Sequence, residues 1–258
     1  MNINDYYKQD GEHPLDRILP DGGFCAIFRT MAFVGDSLSS GEFQTVDESG
    51  AYHYYDRYDH SWGQYIARMT GCKAYNFSRG GMTAKEYMES FADQCGFWEH
   101  DKAAHAYVIA LGVNDLLNAN QEPGQASDYL EEKDTFACFY GKLIQKLKTI
   151  SPDAKFFFMT MPRESTEEEP KKSVHAKLLY DFANIFDNSY VLDFYRYAPI
   201  YDETFKKNFY FNDHMNPAGY LLTAKMVASY IDYIIRNNPR DFYTAGLIGT
   251  GIDTGVLS

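Results

Sequence analysis

The fold of this chain is decided by the stretch Met31-Ala32-Phe33-Val34-Gly35-Asp36-Ser37-Leu38-Ser39-Ser40. An apolar run rich in strand-forming residues stops at Gly35, and Asp36 and Ser37 follow directly. This pattern predicts a buried strand with one serine just beyond its carboxyl end, which is where ligands bind in open α/β sheets. Such a serine is a nucleophile if a histidine and an oxyanion site lie beside it. Taken alone, Ser37 fits a helix N-cap better.

Three later segments carry the residues that a serine nucleophile needs. They read Asn76-Phe77-Ser78-Arg79-Gly80-Gly81-Met82-Thr83, Leu111-Gly112-Val113-Asn114-Asp115 and Asp213-His214-Met215-Asn216-Pro217-Ala218-Gly219-Tyr220. With the first stretch they resemble the four sequence blocks of the SGNH/GDSL hydrolases, a family of serine esterases and acylhydrolases. One such block is a weak signal, but four in the family's order are a strong one. The resemblance runs from about Ala32 to about Arg236.

The resemblance implies roles for four residues. Ser37 is the nucleophile, and His214 is the general base that takes its proton and returns it to the leaving alcohol. Gly81 contributes a backbone N–H and Asn114 a side-chain amide to an oxyanion site that the Ser37 N–H completes. On the residues alone, Gly81 also fits a turn and Asn114 an Asx turn. The family's reaction needs no metal and no organic cofactor.

The sequence departs from the family pattern at the acid of the triad. The family usually has an Asp three residues before its catalytic histidine, and here that position is Phe211. Three alternatives stay open at this point. A backbone carbonyl orients His214 and leaves a Ser37–His214 dyad, or Asp213 serves as the acid, or a carboxylate from elsewhere, such as Asp193, replaces it.

Apolar runs alternate with segments of helical periodicity, which is typical of α/β proteins. The predicted strands are nearly continuous apolar runs, as in parallel sheets buried on both faces: Thr30–Val34, Lys73–Phe77, Ala104–Leu111, Ala154–Met161 and Ser189–Asp193. The predicted helices are Ser61–Met69, Ala84–Phe97, Asp128–Thr149, Glu168–Phe186 and Pro217–Arg236. We therefore predict a three-layer α/β/α, flavodoxin-like fold with a mostly parallel five-stranded sheet, which is also the fold that the resemblance implies.

The chain is predicted to be a single domain over residues 1–258. It has an N-terminal arm over 1–28 that packs on the domain as an irregular segment or a short strand pair, and a loose C-terminal tail over 238–258. A Tyr-rich, acidic insertion at 43–62 is expected to overhang the Ser37 end of the sheet. Its exposed rings suit the faces of sugars, although they also suit plain packing.

Composition excludes several classes of partner. The 258 residues carry a net charge of −12, which argues against binding nucleic acid or an anionic membrane. No apolar stretch approaches 18 residues, so no membrane span is expected. No zinc-type spacing of Cys or His is present. Four scattered cysteines and the lack of an export signal at the start predict a cytoplasmic protein, and the aromatic residues are compatible with a homo-oligomer.

The expected function is hydrolysis of carboxylic esters through an acyl-enzyme, with a small-molecule or oligosaccharide ester as substrate. The Tyr-rich insertion and the lack of a long amphipathic lid favour a short-chain acyl or acetyl ester of a carbohydrate. A lysophospholipase or general short-chain acylhydrolase is the alternative within the family. A non-catalytic carbohydrate-binding member of the fold is the alternative outside it, and the missing Asp is the only feature that favours it.

Overall fold

The computed structural model describes residues 7–252, so the outer ends of the predicted arm and tail lie outside the described residues. Its strands are β1 Thr30–Gly35, β2 Glu42–Val46, β3 Tyr52–Asp56, β4 Lys73–Ser78, β5 Ala106–Ala110, β6 Lys155–Met159, β7 Ser189–Leu192, β8 Tyr210–Phe211 and β9 His214–Met215. Five of them form one sheet in the order β4-β1-β5-β6-β7, and every pairing in it is parallel. The predicted α/β fold and its five strands are confirmed.

The helices are α1 Ser37–Ser40, α2 Trp62–Thr70, α3 Ala84–Glu86, α4 Ala92–Gln94, α5 Phe136–Ile150, α6 Pro170–Ile185, α7 Phe194–Tyr197, α8 Glu203–Phe209 and α9 Pro217–Asn237. A wider helical turn over Tyr87–Phe91 joins α3 to α4. Each predicted helix is present, but the predicted start at Asp128 is wrong.

The chain before α5 is not α-helical: Ala126–Leu130 forms a short 3₁₀ helix, and the side chain of Asp128 holds the residues that follow it. Its carboxylate accepts hydrogen bonds from Lys133 at 2.9 Å and from the Thr135 hydroxyl at 3.0 Å. The Thr135 hydroxyl in turn accepts the Cys138 N–H at 3.2 Å and caps the helix that begins at Phe136. Local side-chain hydrogen bonds therefore outweigh helical periodicity over this segment.

The sheet lies between two layers of helices because its strands are buried on both faces. Successive side chains of a strand point to opposite faces, and Ala32 and Val34 share one apolar cluster with α5 and α6. Met31 and Phe33 belong to the other cluster, with α2 and α9. This arrangement gives the predicted three layers and leaves the carboxyl ends of the strands open.

The arm packs on α9, and the tail packs on the arm and on the sheet. Arg236 of α9 holds Glu12 of the arm at 2.7 and 2.9 Å. In the tail, the ring of Phe242 contacts the rings of Phe28 and Phe157 and is only 5% exposed. The tail is therefore not loose at Phe242, because this aromatic ring completes the core beneath the arm.

Two antiparallel hairpins that we did not predict flank the carboxyl end of the sheet. One pairs β2 with β3 inside the expected insertion. The other pairs β8 with β9 around a two-residue turn, in which Asn212 has a φ of 52°, a left-handed conformation that Asn tolerates. All of β3 is exposed and β8 has two residues, so neither carries the apolar alternation by which strands are predicted.

Candidate active site

Ser37 is the first residue of α1, directly after β1 and one cap residue. Asp36 is the N-cap, and its carboxylate accepts the Leu38 N–H at 3.0 Å. The capping role is therefore filled by Asp36, and the Ser37 hydroxyl makes no hydrogen bond within residues 7–252. The Ser37 N–H lies in the first helical turn, where no intrahelical acceptor exists. Both groups are free to meet a ligand.

Asp36 is almost fully buried beneath this turn, with 3% of its surface exposed. Burial raises the pKa of its carboxyl to about 7, against the opposing effect of the Leu38 N–H. Its contact with the backbone supports the structural role expected for a residue at the nucleophile turn.

Gly81 and Asn114 lie where two further strands end. Gly81 follows β4 with a φ of 73°, which favours glycine, and its N–H makes no hydrogen bond within the described chain. Asn114 follows β5, and its amide nitrogen donates to the Met82 carbonyl at 3.2 Å. Its side-chain oxygen accepts from Asn118 at 2.7 Å, which fixes the amide. An amide nitrogen has two hydrogens, so one stays available to a ligand.

His214 opens β9, and its side chain is 13% exposed. Its Nε2 lies 3.1 Å from a carboxylate oxygen of Glu42. Its Nδ1 is buried and has no hydrogen-bond partner in the described residues. Burial lowers the pKa of the imidazole, and the charge of Asp213 opposes that effect. The ring is therefore neutral and able to accept a proton near neutral pH.

Glu42 is a residue of the site that sequence reasoning missed. It lies outside the family blocks, on β2, where Glu42 and Gln44 point toward the site because they are two residues apart on one strand. A Cβ on Gly80 would lie 2.3 Å from the Glu42 carboxylate, so the glycine leaves room for it. Burial, and then the charge of Asp56, raises the pKa of Glu42.

The three alternatives for the acid can be compared with this geometry. Asp213 is exposed in the β8–β9 turn, and its N–H donates to Gln44 at 3.0 Å. Within the described residues, no hydrogen bond or ion pair joins its carboxylate or a backbone carbonyl to the His214 ring. Asp193 lies elsewhere and accepts from Tyr180 at 2.9 Å and from Thr160 at 3.2 Å. The acid role of Asp213 stays a prediction.

The five predicted site residues line one cleft of about 530 Å³: Ser37, Gly81, Asn114, Asp213 and His214. Glu42, Gln44 and Tyr54 of the β2–β3 hairpin line it from one side. A smaller cavity of about 70 Å³ adjoins the cleft and shares Leu38, Val113 and Tyr201 with it. The elements that the sequence predicted separately thus meet at the carboxyl end of the sheet.

Between residues 7 and 252, no group of three or more His, Cys, Asp and Glu side chains is placed to hold a metal ion. Over the same residues, no helix is long and apolar enough to cross a membrane.

Comparison with known proteins gives a family and a fold. The model of the GDSL-like Lipase/Acylhydrolase family matches residues 33–222. A search of curated protein sequences finds no match. A solved family two carbohydrate esterase from Clostridium thermocellum, in complex with cellohexaose, is 16% identical with a TM-score of 0.56, covering 83% of this chain and 65% of that one.

Two further solved structures match over nearly their whole length. A possible lipase from Chitinophaga pinensis DSM 2588 is 14% identical with a TM-score of 0.56, covering 81% of this chain and 98% of that one. The psychrotrophic esterase EstA from Pseudoalteromonas sp. is 15% identical with a TM-score of 0.52, covering 81% and 100%. At these identities the structures show a shared fold.

Proposed function

Since this chain belongs to the GDSL-like lipase/acylhydrolase family, we propose that it is a serine esterase whose substrate is a short-chain acyl or acetyl ester of a carbohydrate. Family membership implies esterase or acylhydrolase activity in general. The observation that carries the proposal is the meeting of Ser37, Gly81, Asn114 and His214 in one cleft. The free Ser37 hydroxyl and an unpaired Gly81 N–H within the described chain support it.

The proposed reaction proceeds in two halves. Ser37 Oγ attacks the ester carbonyl while His214 takes the hydroxyl proton, and the Ser37 and Gly81 N–H groups and the Asn114 amide hold the oxyanion. His214 then gives the proton to the leaving alcohol, and the acyl group remains on Ser37. Water, activated by His214, releases the acid and restores the serine.

A carbohydrate substrate is supported by the polar lining of the cleft. Three charged residues also line the cleft, Glu164, Lys172 and Lys206, and both lysines pair with the glutamate. Such groups hydrogen-bond hydroxyl-rich ligands, because their donors and acceptors are already fixed in position. Tyr54 is 57% exposed at the cleft, and an aromatic face of this kind suits a sugar ring. The likeness in fold to a family two carbohydrate esterase agrees with this proposal.

A short acyl group is supported by the smaller cavity. Its wall is mainly apolar and includes Leu38, Trp62 and Met159, next to the nucleophile turn. A volume of about 70 Å³ corresponds to about two water molecules at their volume in the liquid, which matches an acyl group of about two carbon atoms. We therefore propose that the acyl group enters here while the alcohol part stays in the open cleft.

The test is hydrolysis of p-nitrophenyl acetate and p-nitrophenyl octanoate by the wild type and by Ser37→Ala. We expect acetate to be the better substrate and Ser37→Ala to be inactive. Acetate release from an acetylated oligosaccharide then tests the carbohydrate part. Preference for octanoate supports a lysophospholipase or a general acylhydrolase instead. Hydrolysis that survives in Ser37→Ala contradicts the proposal.

A cytoplasmic location is also part of the proposal. It is supported by the four cysteines, all of which are free thiols, as is usual in a reducing compartment.

A further inference from the structure

The carboxylate of Glu42 reaches His214, the proposed base, from β2, a strand that lies outside the family blocks. From the 3.1 Å contact between a Glu42 carboxylate oxygen and His214 Nε2, we infer that Glu42 is the positioning residue of His214. It takes the place of the Asp that the family has three residues before its histidine. This inference rests on the proposed function, because it assigns a role within the same site.

The β2–β3 hairpin holds this carboxylate in position. The backbone carbonyl of Glu42 accepts the Tyr220 hydroxyl at 2.6 Å, which ties β2 to α9. Phe43 points to the other face of β2, and its ring lies 5.5 Å from that of Tyr220 and 6.3 Å from that of Phe211. Phe211, which occupies the position of the missing acid, thus makes an apolar contact with Phe43 of β2. The same strand delivers Glu42 to the histidine.

The pair is shielded from water, unlike the carboxylate of Asp213. The side chains of Glu42 and His214 are 14% and 13% exposed, whereas Asp213 is exposed at the turn. A charge interaction weakens as solvent screens it. The contact of Glu42 with the ring is therefore screened less by solvent than an interaction with the exposed Asp213, although the charge of Asp213 is the one that opposes the effect of burial on the His214 pKa.

The contact places a carboxylate oxygen at Nε2, at an angle that does not make a hydrogen bond, and so favours Nδ1 as the basic nitrogen once the two groups align. When Nε2–H donates to Glu42, the lone pair of a neutral imidazole is on Nδ1. Nδ1 is the buried nitrogen without a hydrogen-bond partner in the described chain. Nδ1 makes no hydrogen bond with the Ser37 hydroxyl in the described residues, so the proton transfer requires the two to approach each other when substrate binds. Glu42 then stays ionised and stabilises the imidazolium that forms.

Burial raises the pKa of Glu42 and lowers that of His214, which brings the proton affinities of the two groups closer together. Other ionisable groups also act on the pair from the neighbouring elements: Asp36, Asp56, Asp213 and the Tyr220 hydroxyl. A test must therefore compare the effect of removing the Glu42 charge with the effect of removing the charge of Asp213 or of another carboxylate on the β2–β3 hairpin.

The direct test is an NMR titration of the His214 imidazole in the wild type, Glu42→Gln, Asp213→Asn and Glu48→Gln. We expect Glu42→Gln to lower the proton affinity of the ring about tenfold, and Asp213→Asn to lower it less. Glu48 is exposed at the hairpin turn, so Glu48→Gln is the control without effect. A ring in Glu42→Gln whose proton affinity is unchanged or higher overturns the inference.

Kinetics with p-nitrophenyl acetate give the second readout. We expect Glu42→Gln to lower kcat about 10²–10⁴-fold, with little change in KM, and to move the acidic limb of kcat/KM to lower pH. Glu42→Asp, which keeps the charge but is shorter by one methylene, should recover part of the rate. A change in KM alone, or a lower kcat with the acidic limb unmoved, overturns the positioning role.

The two experiments separate this inference from the proposed function. If the wild type cleaves no ester and Ser37 is unreactive, the proposed function fails, while the titration still decides whether Glu42 acts on His214. If Glu42→Gln does not fold, Glu42→Asp replaces it in the titration. We then expect a smaller decrease in the proton affinity of the ring. An unchanged proton affinity in Glu42→Asp would overturn the inference.

Discussion

The carboxylate of Asp115 accepts the backbone N–H of Ala84 at 2.7 Å, and both residues are fully buried. Asp115 follows Asn114 directly, and Ala84 begins α3 three residues after Gly81. One buried hydrogen bond therefore joins the two loops that carry the proposed oxyanion donors. Burial raises the pKa of Asp115 to about 6, against the effect of this bond.

We predict that Asp115→Ala destabilises the protein and impairs catalysis as well. It leaves the buried Ala84 N–H without its acceptor, which costs about 1–3 kcal/mol of unfolding free energy. It should also lower kcat at temperatures where the variant is folded, because the two loops are then joined only by the hydrogen bond from the Asn114 amide to the Met82 carbonyl. Urea unfolding and p-nitrophenyl acetate kinetics measure both effects.

A matched control is Asp134→Ala. Asp134 pairs at 2.9 Å with Lys85, the next residue after Ala84, but this ion pair is exposed. Exposed pairs contribute about 0–1 kcal/mol. An equal loss of stability in the two variants would show that the Asp115 bond has no special role.

The oxyanion role of Asn114 predicts a loss in kcat. Asn114→Ala removes one donor aimed at the developing charge, and loss of one such donor lowers kcat about 10²–10³-fold. KM should change little, because the donor acts mainly in the transition state. Asn118→Ala should have a smaller effect, since the Met82 carbonyl still holds the Asn114 amide. Full activity of Asn114→Ala with p-nitrophenyl acetate would remove Asn114 from the oxyanion site.

The raised pKa of Asp36 predicts that the stability of the protein decreases as pH rises. Its pKa is about 7 in the folded protein, against about 3.9 in an unfolded chain. Between these values the folded state binds more protons than the unfolded state, so the free energy of unfolding falls as pH rises from about 4 to about 7. In Asp36→Asn this part of the slope should disappear. Urea unfolding at several pH values checks it, and identical slopes in both proteins would contradict the burial of an ionisable carboxyl.

The exposed ring of Tyr54 at the cleft predicts that its loss weakens binding of a carbohydrate ester but not of a simple ester. Tyr54→Ala should raise KM for an acetylated oligosaccharide several-fold, because loss of an aromatic contact costs about 0.5–1.5 kcal/mol. KM for p-nitrophenyl acetate should stay close to that of the wild type. Tyr55 is on the opposite face of β3 and is 45% exposed, so Tyr55→Ala is the control. Equal effects of both substitutions would argue against a sugar contact at Tyr54.

The parts of the fold that were predicted correctly are those with a strong local signal. β1, β5 and β6 are apolar and buried on both faces, and the carboxyl ends of β1, β4 and β5 carry three of the four family blocks. Since parallel strands end at the same edge of a sheet, the meeting of the blocks followed from the sequence. The break between the short 3₁₀ helix at Asp128 and α5 was missed because the hydrogen bonds of Asp128 with Lys133 and Thr135 depend on geometry that periodicity does not report.

The acid was the part of the site that the sequence did not determine. Phe211 showed that the family's Asp was missing, but nothing near His214 identified its substitute. Glu42 reaches the histidine only because the β2–β3 hairpin packs beside β9, a contact between distant parts of the chain. One glutamate in a partly exposed strand resembles any solvated residue until that packing is known.

The most direct measurement is mass spectrometry of the protein after treatment with an organophosphonate that labels serine hydrolases. We predict one adduct, located on Ser37 within the tryptic peptide 30–57, and its formation should be much slower in His214→Ala. An adduct at another residue, or equal labelling of Ser37→Ala and the wild type, would contradict Ser37 as the nucleophile.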